Sequence, residues 1–119
     1  MYEYKAKCIN VVDGDTIDVV IDLGFKTSIE KRVRVAEIDT PELRRGTTES
    51  KRLGKIAADR VRELILGKDI VVQTVKLHGK FGRYIARVFF AHDDTTKANL
   101  GDVLIVEGHA VLYGSNKGR

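Results

Sequence analysis

Apolar residues recur at every second position early in the chain, then at every third or fourth, then at every second again. Residues 2–12 read as a first strand that ends at Asp13-Gly14, a tight-turn pair between two apolar runs. In the next run Ile17, Val19, Ile21 and Leu23 fall on one face, with Thr16, Asp18 and Asp22 on the other, until Gly24 breaks the alternation. A third strand over 28–38 sets Ile29, Val33 and Val35 against Arg32, Arg34 and Ala36. Pro41 has no backbone donor and holds Thr40 extended, so the strand is expected to stop there. Three strands joined by short turns make a meander.

Residues 44–48 read as polar loop, and the period changes beyond them. Over 50–66, Leu53, Ala57, Val61 and Leu64 recur at helical spacing with charged residues between them, and Gly67 supplies a stop. Strand character returns over 70–77 and 84–91, on either side of a loop holding Gly79 and Gly82. A second helix is expected over 99–107 through Leu100, Val103 and Leu104, ended by Gly108; 109–113 form a short extended tail and 114–119 a frayed end. This order predicts a β-rich α+β fold. It is that of a five-stranded OB-fold barrel with a helix between strands three and four and one or two helices at the C-terminal end.

A length of 119 residues suits one domain spanning 1–119, and 43% hydrophobic with 32% charged residues is a globular composition. No apolar run approaches the roughly 20 residues that span a bilayer, so no membrane partner is expected. The start, Met1-Tyr2-Glu3-Tyr4-Lys5, lacks the apolar core of a secretion signal, which favours a cytoplasmic location. A secreted protein from which a leader had been removed would show the same start. The net charge of +4 leans mildly toward polyanionic partners. A lone cysteine, Cys8, forbids an internal disulfide and fits a small core residue better than a nucleophile. His78, His92 and His109 show no ligand or nucleophile spacing. A monomer is expected.

Two acidic clusters carry the chemistry. Asp13 and Asp15 flank Gly14, where turn geometry alone would explain an Asp. Asp39-Thr40-Pro41-Glu42 follows the third strand. Asp15, Asp39 and a carbonyl such as that of Thr40 could supply part of the six to eight oxygens that calcium takes, leaving places for water and a phosphate. Glu42 reads as a further ligand, a surface charge, or a base for an attacking water. Arg34 and Arg83 read either as barrel-surface cations or as planar donors for a phosphodiester. Lys80 and Phe81 could hold a neighbouring phosphate and a base face. Arg32, Arg44, Arg45, Lys51 and Arg52 read as solvated charges.

These linked motifs resemble those of the staphylococcal nuclease (thermonuclease) family. The likeness runs from Val11-Val12-Asp13-Gly14-Asp15-Thr16 through Arg34, Ile38-Asp39-Thr40-Pro41-Glu42 and Lys80-Phe81-Gly82-Arg83 to Glu107-Gly108-His109-Ala110. It implies an OB-type barrel and a calcium-dependent hydrolase of DNA and RNA that leaves 3′-phosphate and 5′-hydroxyl ends. By that likeness Asp15 and Asp39 bind calcium with the Thr40 carbonyl, and Asp13 stands behind them. Glu42 is the general base, directly or through water. Arg34 and Arg83 hold the scissile phosphate, and Arg83 is also a proton donor to the leaving oxygen.

Phe81 stands where the family has Tyr, which keeps a stacking face and loses a hydroxyl bond to phosphate. Tyr113 falls one residue short of the family's C-terminal binding tyrosine. The loop over 43–53 keeps about the family length. The competing expectation is a non-catalytic OB-fold module that binds nucleic acid or protein, and a weaker one is a calcium-stabilised interaction domain. Carboxylates clustered beside a phosphate site repel a polyanion unless a cation intervenes, which favours the nuclease.

Overall fold

The computed structural model describes residues 2–78, 83–91, 93 and 96–114, with the side chains at 76–78 and 83 outside that description. In chain order the elements are β1 (Glu3–Asp13), β2 (Thr16–Gly24), β3 (Thr27–Val35), β4 (Ile38–Asp39), α1 (Thr48–Ile65), β5 (Asp69–His78), β6 (Arg83–Ala91), β7 (Lys97–Asn99), α2 (Leu100–Val106) and β8 (Val111–Leu112). One sheet runs β3-β2-β1-β5-β6-β7, and β3 also pairs in parallel with β6. That extra pairing closes β1, β2, β3, β5 and β6 into the five-stranded OB barrel that the element order predicts.

Two-residue alternation builds the interior. Ile17 and Val19 from β2, Val33 and Val35 from β3, Ile70 and Val72 from β5, and Ala86 and Val88 from β6 all point inward and are buried. Helix α1 adds Ala57, Ala58, Val61 and Ile65, each fully buried. Every large aliphatic among them contributes about 1.5–3 kcal/mol by leaving water. Cys8 is buried in the same core, and burial pushes its thiol above the usual range. Its main chain stitches β1 to the end of α1: the Gly67 N–H donates to the Cys8 carbonyl at 2.8 Å, and the Cys8 N–H donates to Lys68 at 3.3 Å.

Helix α1 starts ahead of the expected residue 50 because Thr47 caps it, its hydroxyl accepting the Ser50 N–H at 3.1 Å. Gly67, at φ +74°, ends it as expected. The third strand is shorter than predicted. It stops at Val35, and Glu37 takes a left-handed φ of +73° before the chain resumes as β4, which pairs with β8. Two distant contacts hold that turn: Arg87 Nε donates to the Glu37 carboxylate at 2.7 Å, and the Tyr113 N–H donates to the Glu37 carbonyl at 2.9 Å. The predicted extended tail therefore serves as a sheet partner; of the predicted frayed end, 115–119 lie outside the described residues.

Leu23 and Ile29 share the inward face of their strands yet stay 43% and 38% exposed. The β2–β3 hairpin runs on to a tip at Phe25-Lys26, both in left-handed conformation, beyond the packed interior. Among the described residues no helix is long and apolar enough to cross a membrane.

On the outer face Asp18 is gripped by Arg32 through bonds of 2.8 and 3.2 Å and by Asn10 at 3.1 Å. The Arg32 hydrogen bond is the main cause that holds the Asp18 carboxyl below its ordinary 3.8, against the opposing effect of desolvation. A carboxyl lowered by folding stabilises the native state above its unfolded-state value and loses that contribution as pH falls through the lowered one. Asp18→Asn should therefore lose less stability than the parent in urea titrations as pH falls from above the ordinary carboxylate range through the lowered Asp18 value. Equal losses would mean that the pair is mechanically idle.

Candidate active site

The turn between β1 and β2 places Asp13 and Asp15 on either side of Gly14. Gly14 is there for space rather than for a left-handed turn. A Cβ at that position would lie 3.0 Å from Ala57 Cβ and from both branches of the Thr40 side chain. Wedged against α1 in this way, the turn grips the segment that follows β4. Asp15 Oδ2 accepts the Thr40 N–H at 3.1 Å, and Asp13 Oδ1 accepts the Leu43 N–H at 3.2 Å. Pro41, which has no N–H to satisfy, lies between them.

Gly54 of α1 supports the same segment from below. A Cβ there would come within 2.8 Å of the carbonyl oxygens of Pro41 and Glu42. Glu42 thus has a fixed backbone and an exposed side chain.

Arg34 leaves the outward face of β3 and reaches both acidic turns. Its Nη1 donates to Asp15 Oδ2 at 3.3 Å; its Nη2 donates to Asp39 Oδ1 at 2.5 Å and to the Ile38 carbonyl at 3.0 Å. The side chains of Arg34, Asp15 and Asp39 are 18%, 9% and 32% exposed, so the charges are poorly solvated. The Tyr113 ring lies 5.4 Å from the guanidinium carbon, carried there by the β4–β8 pairing. The Gly114 N–H also donates to Asp39 Oδ2, at 3.4 Å.

A cleft of about 480 Å³ opens over this cluster. It is lined by Asp13, Asp15, Arg34, Asp39, Thr40 and Glu42, and also by Arg32, Arg44 and Arg45. The last three were expected to be plain solvated charges. Arg32 is indeed 61% exposed and paired with Asp18, yet it shares the outward face of β3 with Arg34, as two-residue alternation requires. Arg44 and Arg45 give no such periodic signal, because they lie in a loop. Lys80 and Phe81, and the Arg83 side chain, lie outside the described residues; the Arg83 backbone opens β6 opposite His78.

The donors here are carboxylate, hydroxyl and carbonyl oxygens, which suit a hard cation such as calcium or magnesium. Among the described residues no group of three or more His, Cys, Asp or Glu is close enough to hold a metal. Asp15 and Asp39, drawn together by Arg34, are two carboxylates and could supply only part of the six to eight oxygens of such an ion. Among the described residues Thr40 Oγ1, which is buried, has no hydrogen-bond partner, and Thr40 lines the same cleft.

The fold and the cleft define an OB-barrel domain with acid and guanidinium groups side by side on its outer face. Residues 32–119 match the family described as Staphylococcal nuclease homologue, and the chain belongs to that family. It is 28% identical over 115 residues to a protein named Micrococcal nuclease from Shigella flexneri. That match takes in 93% of this chain and 59% of the relative, so the chain spans less than two thirds of the relative's length.

Two substitutions test the geometry. Arg34→Gln strands two poorly solvated carboxylates and should cost about 2–3 kcal/mol in urea unfolding without divalent ions, below the 3–5 of a fully buried pair. Gly54→Ala should destabilise despite a gain of about 1 kcal/mol in helix propensity, because overpacking against the 41–42 carbonyls costs about 1–3. A more stable alanine variant would show that this segment shifts freely.

Proposed function

We propose that the chain is a calcium-dependent nuclease, acting as a monomer on phosphodiester bonds of DNA, RNA or both and leaving 3′-phosphate and 5′-hydroxyl ends. The observation that carries this reading is the convergence of Asp15, Asp39 and Arg34, with Glu42 lining the same cleft. Membership of a nuclease family supports it. Calcium held by Asp15, Asp39 and the Thr40 carbonyl would supply Lewis-acid polarisation and positive charge at the phosphate.

The chain's own groups do the rest. Glu42, with its backbone fixed and its carboxylate in water, accepts a proton from the attacking water. The water oxygen bonds to phosphorus as the bond from phosphorus to the 5′ oxygen breaks. Arg34 and Arg83 present planar N–H pairs to the equatorial oxygens, where charge accumulates. Arg83 gives a proton to the departing 5′ oxygen. Lys80, Phe81 and Tyr113 hold neighbouring phosphate and base, and Asp13 keeps Glu42 in place through its bond to the Leu43 N–H.

One observation favours the alternative, a non-catalytic OB-fold module that binds nucleic acid or protein. Asp13 and Asp15 already accept main-chain N–H groups, and Arg34 already pairs with both Asp15 and Asp39, so the cluster also works as a structural clamp.

Supercoiled plasmid and single-stranded DNA, incubated with calcium and then with excess chelator, separate the two readings. The nuclease cuts only with calcium and leaves ends that a 3′-phosphatase must treat before extension. Glu42→Gln should lower kcat by about 10²–10⁴ with an unchanged unfolding midpoint. Binding without any cutting would leave the module.

A further inference from the structure

The mouth of the barrel opposite the packed interior is a second cavity, of about 400 Å³. The inward faces of four strands lead there after their last buried layer and supply Tyr2, Tyr4, Leu23, Ile29, Lys31 and Tyr84. Three of the four tyrosines in the chain meet at this one place. Tyr2 and Tyr4 lie with ring centroids 6.4 Å apart, and Lys31 Nζ stands 5.4 Å from the Tyr84 centroid. Tyr2 is 69% exposed and Tyr84 37%, so aromatic faces are open to solvent. Lys31 is the one charged group among the described residues that line the cavity.

The geometry points to a base-binding cup that takes a nucleobase of the same nucleic-acid strand, away from the scissile phosphate. It rests on the reading above that nucleic acid is the substrate. Every base has a flat face for tyrosine, and each aromatic stack is worth roughly five- to a hundredfold in affinity. Lys31 supplies the positive charge that the linking phosphate needs, and among the described lining residues no carboxylate opposes it. The cup and the cleft share β3 but open on its opposite faces, the cup inward and the cleft outward. Tyr84 follows Arg83 and pairs with Val33, the neighbour of Arg34. Lys31 lies three residues before Arg34 on β3, about 10 Å away at roughly 3.3 Å per residue. A single strand covers that axial distance in about three nucleotides at a rise of roughly 3.4 Å, and needs further ones to pass from the inward face to the outward one. The cup would therefore let long strands bind more tightly than dinucleotides.

The test uses decathymidylate, with 5-iodouracil at each position in turn, in chelator so that the strand stays whole. Photo-crosslinks should map to Tyr2 or Tyr84 from one or two positions. Tyr84→Leu should weaken decamer binding about tenfold, and more than it weakens dinucleotide binding, whereas Tyr84→Phe keeps the parental affinity. Crosslinks confined to residues outside the cup overturn the proposal, as does parental affinity in Tyr84→Leu. A concentration-dependent dimer abolished by Tyr84→Leu would give the mouth to a second copy and also overturn it. If the leucine variant fails to fold, the crosslink map of the parent protein decides. Plasmid cutting by the parent reports separately: cutting without cup crosslinks sinks the cup alone, and cup crosslinks without cutting sink the hydrolase alone.

Discussion

A single guanidinium holds two carboxylates that meet at one end of the sheet, one from the turn after β1 and one from the segment after β3. Arg34 bridges Asp15 in the β1–β2 turn and Asp39 in β4. Without it, two poorly solvated negative charges would face each other, which costs free energy in a medium of low dielectric constant. Much of the local architecture follows from this contact. Strand alternation must put Arg34 outward while Val33 and Val35 go in. The chain must then turn sharply enough for Asp39 to return within reach of Arg34. Glu37 makes that turn in a conformation that non-glycine residues rarely adopt, and it is held by Arg87 and by the Tyr113 N–H.

Close approach is the second theme, and small residues provide it. Gly14 lets the acidic turn sit against Ala57 and Thr40, Gly54 lets the Pro41-Glu42 backbone rest on α1, and Gly101 lets α2 approach Ile38. Each lies where a helix meets the backbone near the acidic cluster. The position of Glu42 is thus set by helix packing and by Asp13, and among the described residues no hydrogen bond or ion pair ties down its exposed side chain. Such division of labour suits the role of base proposed for it.

How much of this could be read from the chain depended on the range of the interactions involved. The long strands and α1 were legible, since periodicity over nine or more residues is a local signal. The caps at Gly67 and Gly108 were legible for the same reason. The break at Ala36-Glu37 was not, because neither residue announces a turn and the partners that fix it, Arg87 and Tyr113, lie far along the chain. Strands β4, β7 and β8 have only two or three residues, too few for any alternation to register. Gly14 was read as a turn residue, whereas its reason is a neighbour supplied by the helix. The acidic motifs pointed to the cleft, but their bonds to the Thr40 and Leu43 N–H groups depend on a fold that no spacing encodes.

Cys8 gives the molecule an internal timer. Its sulfur is shut into the seam between β1 and the end of α1, with main-chain bonds on both sides. A disulfide reagent can reach that sulfur only while the seam stands apart, so the pace of thiol consumption counts how often barrel and helix separate. In a chain that has no tryptophan, this is a reporter already in place for the breathing of its own core.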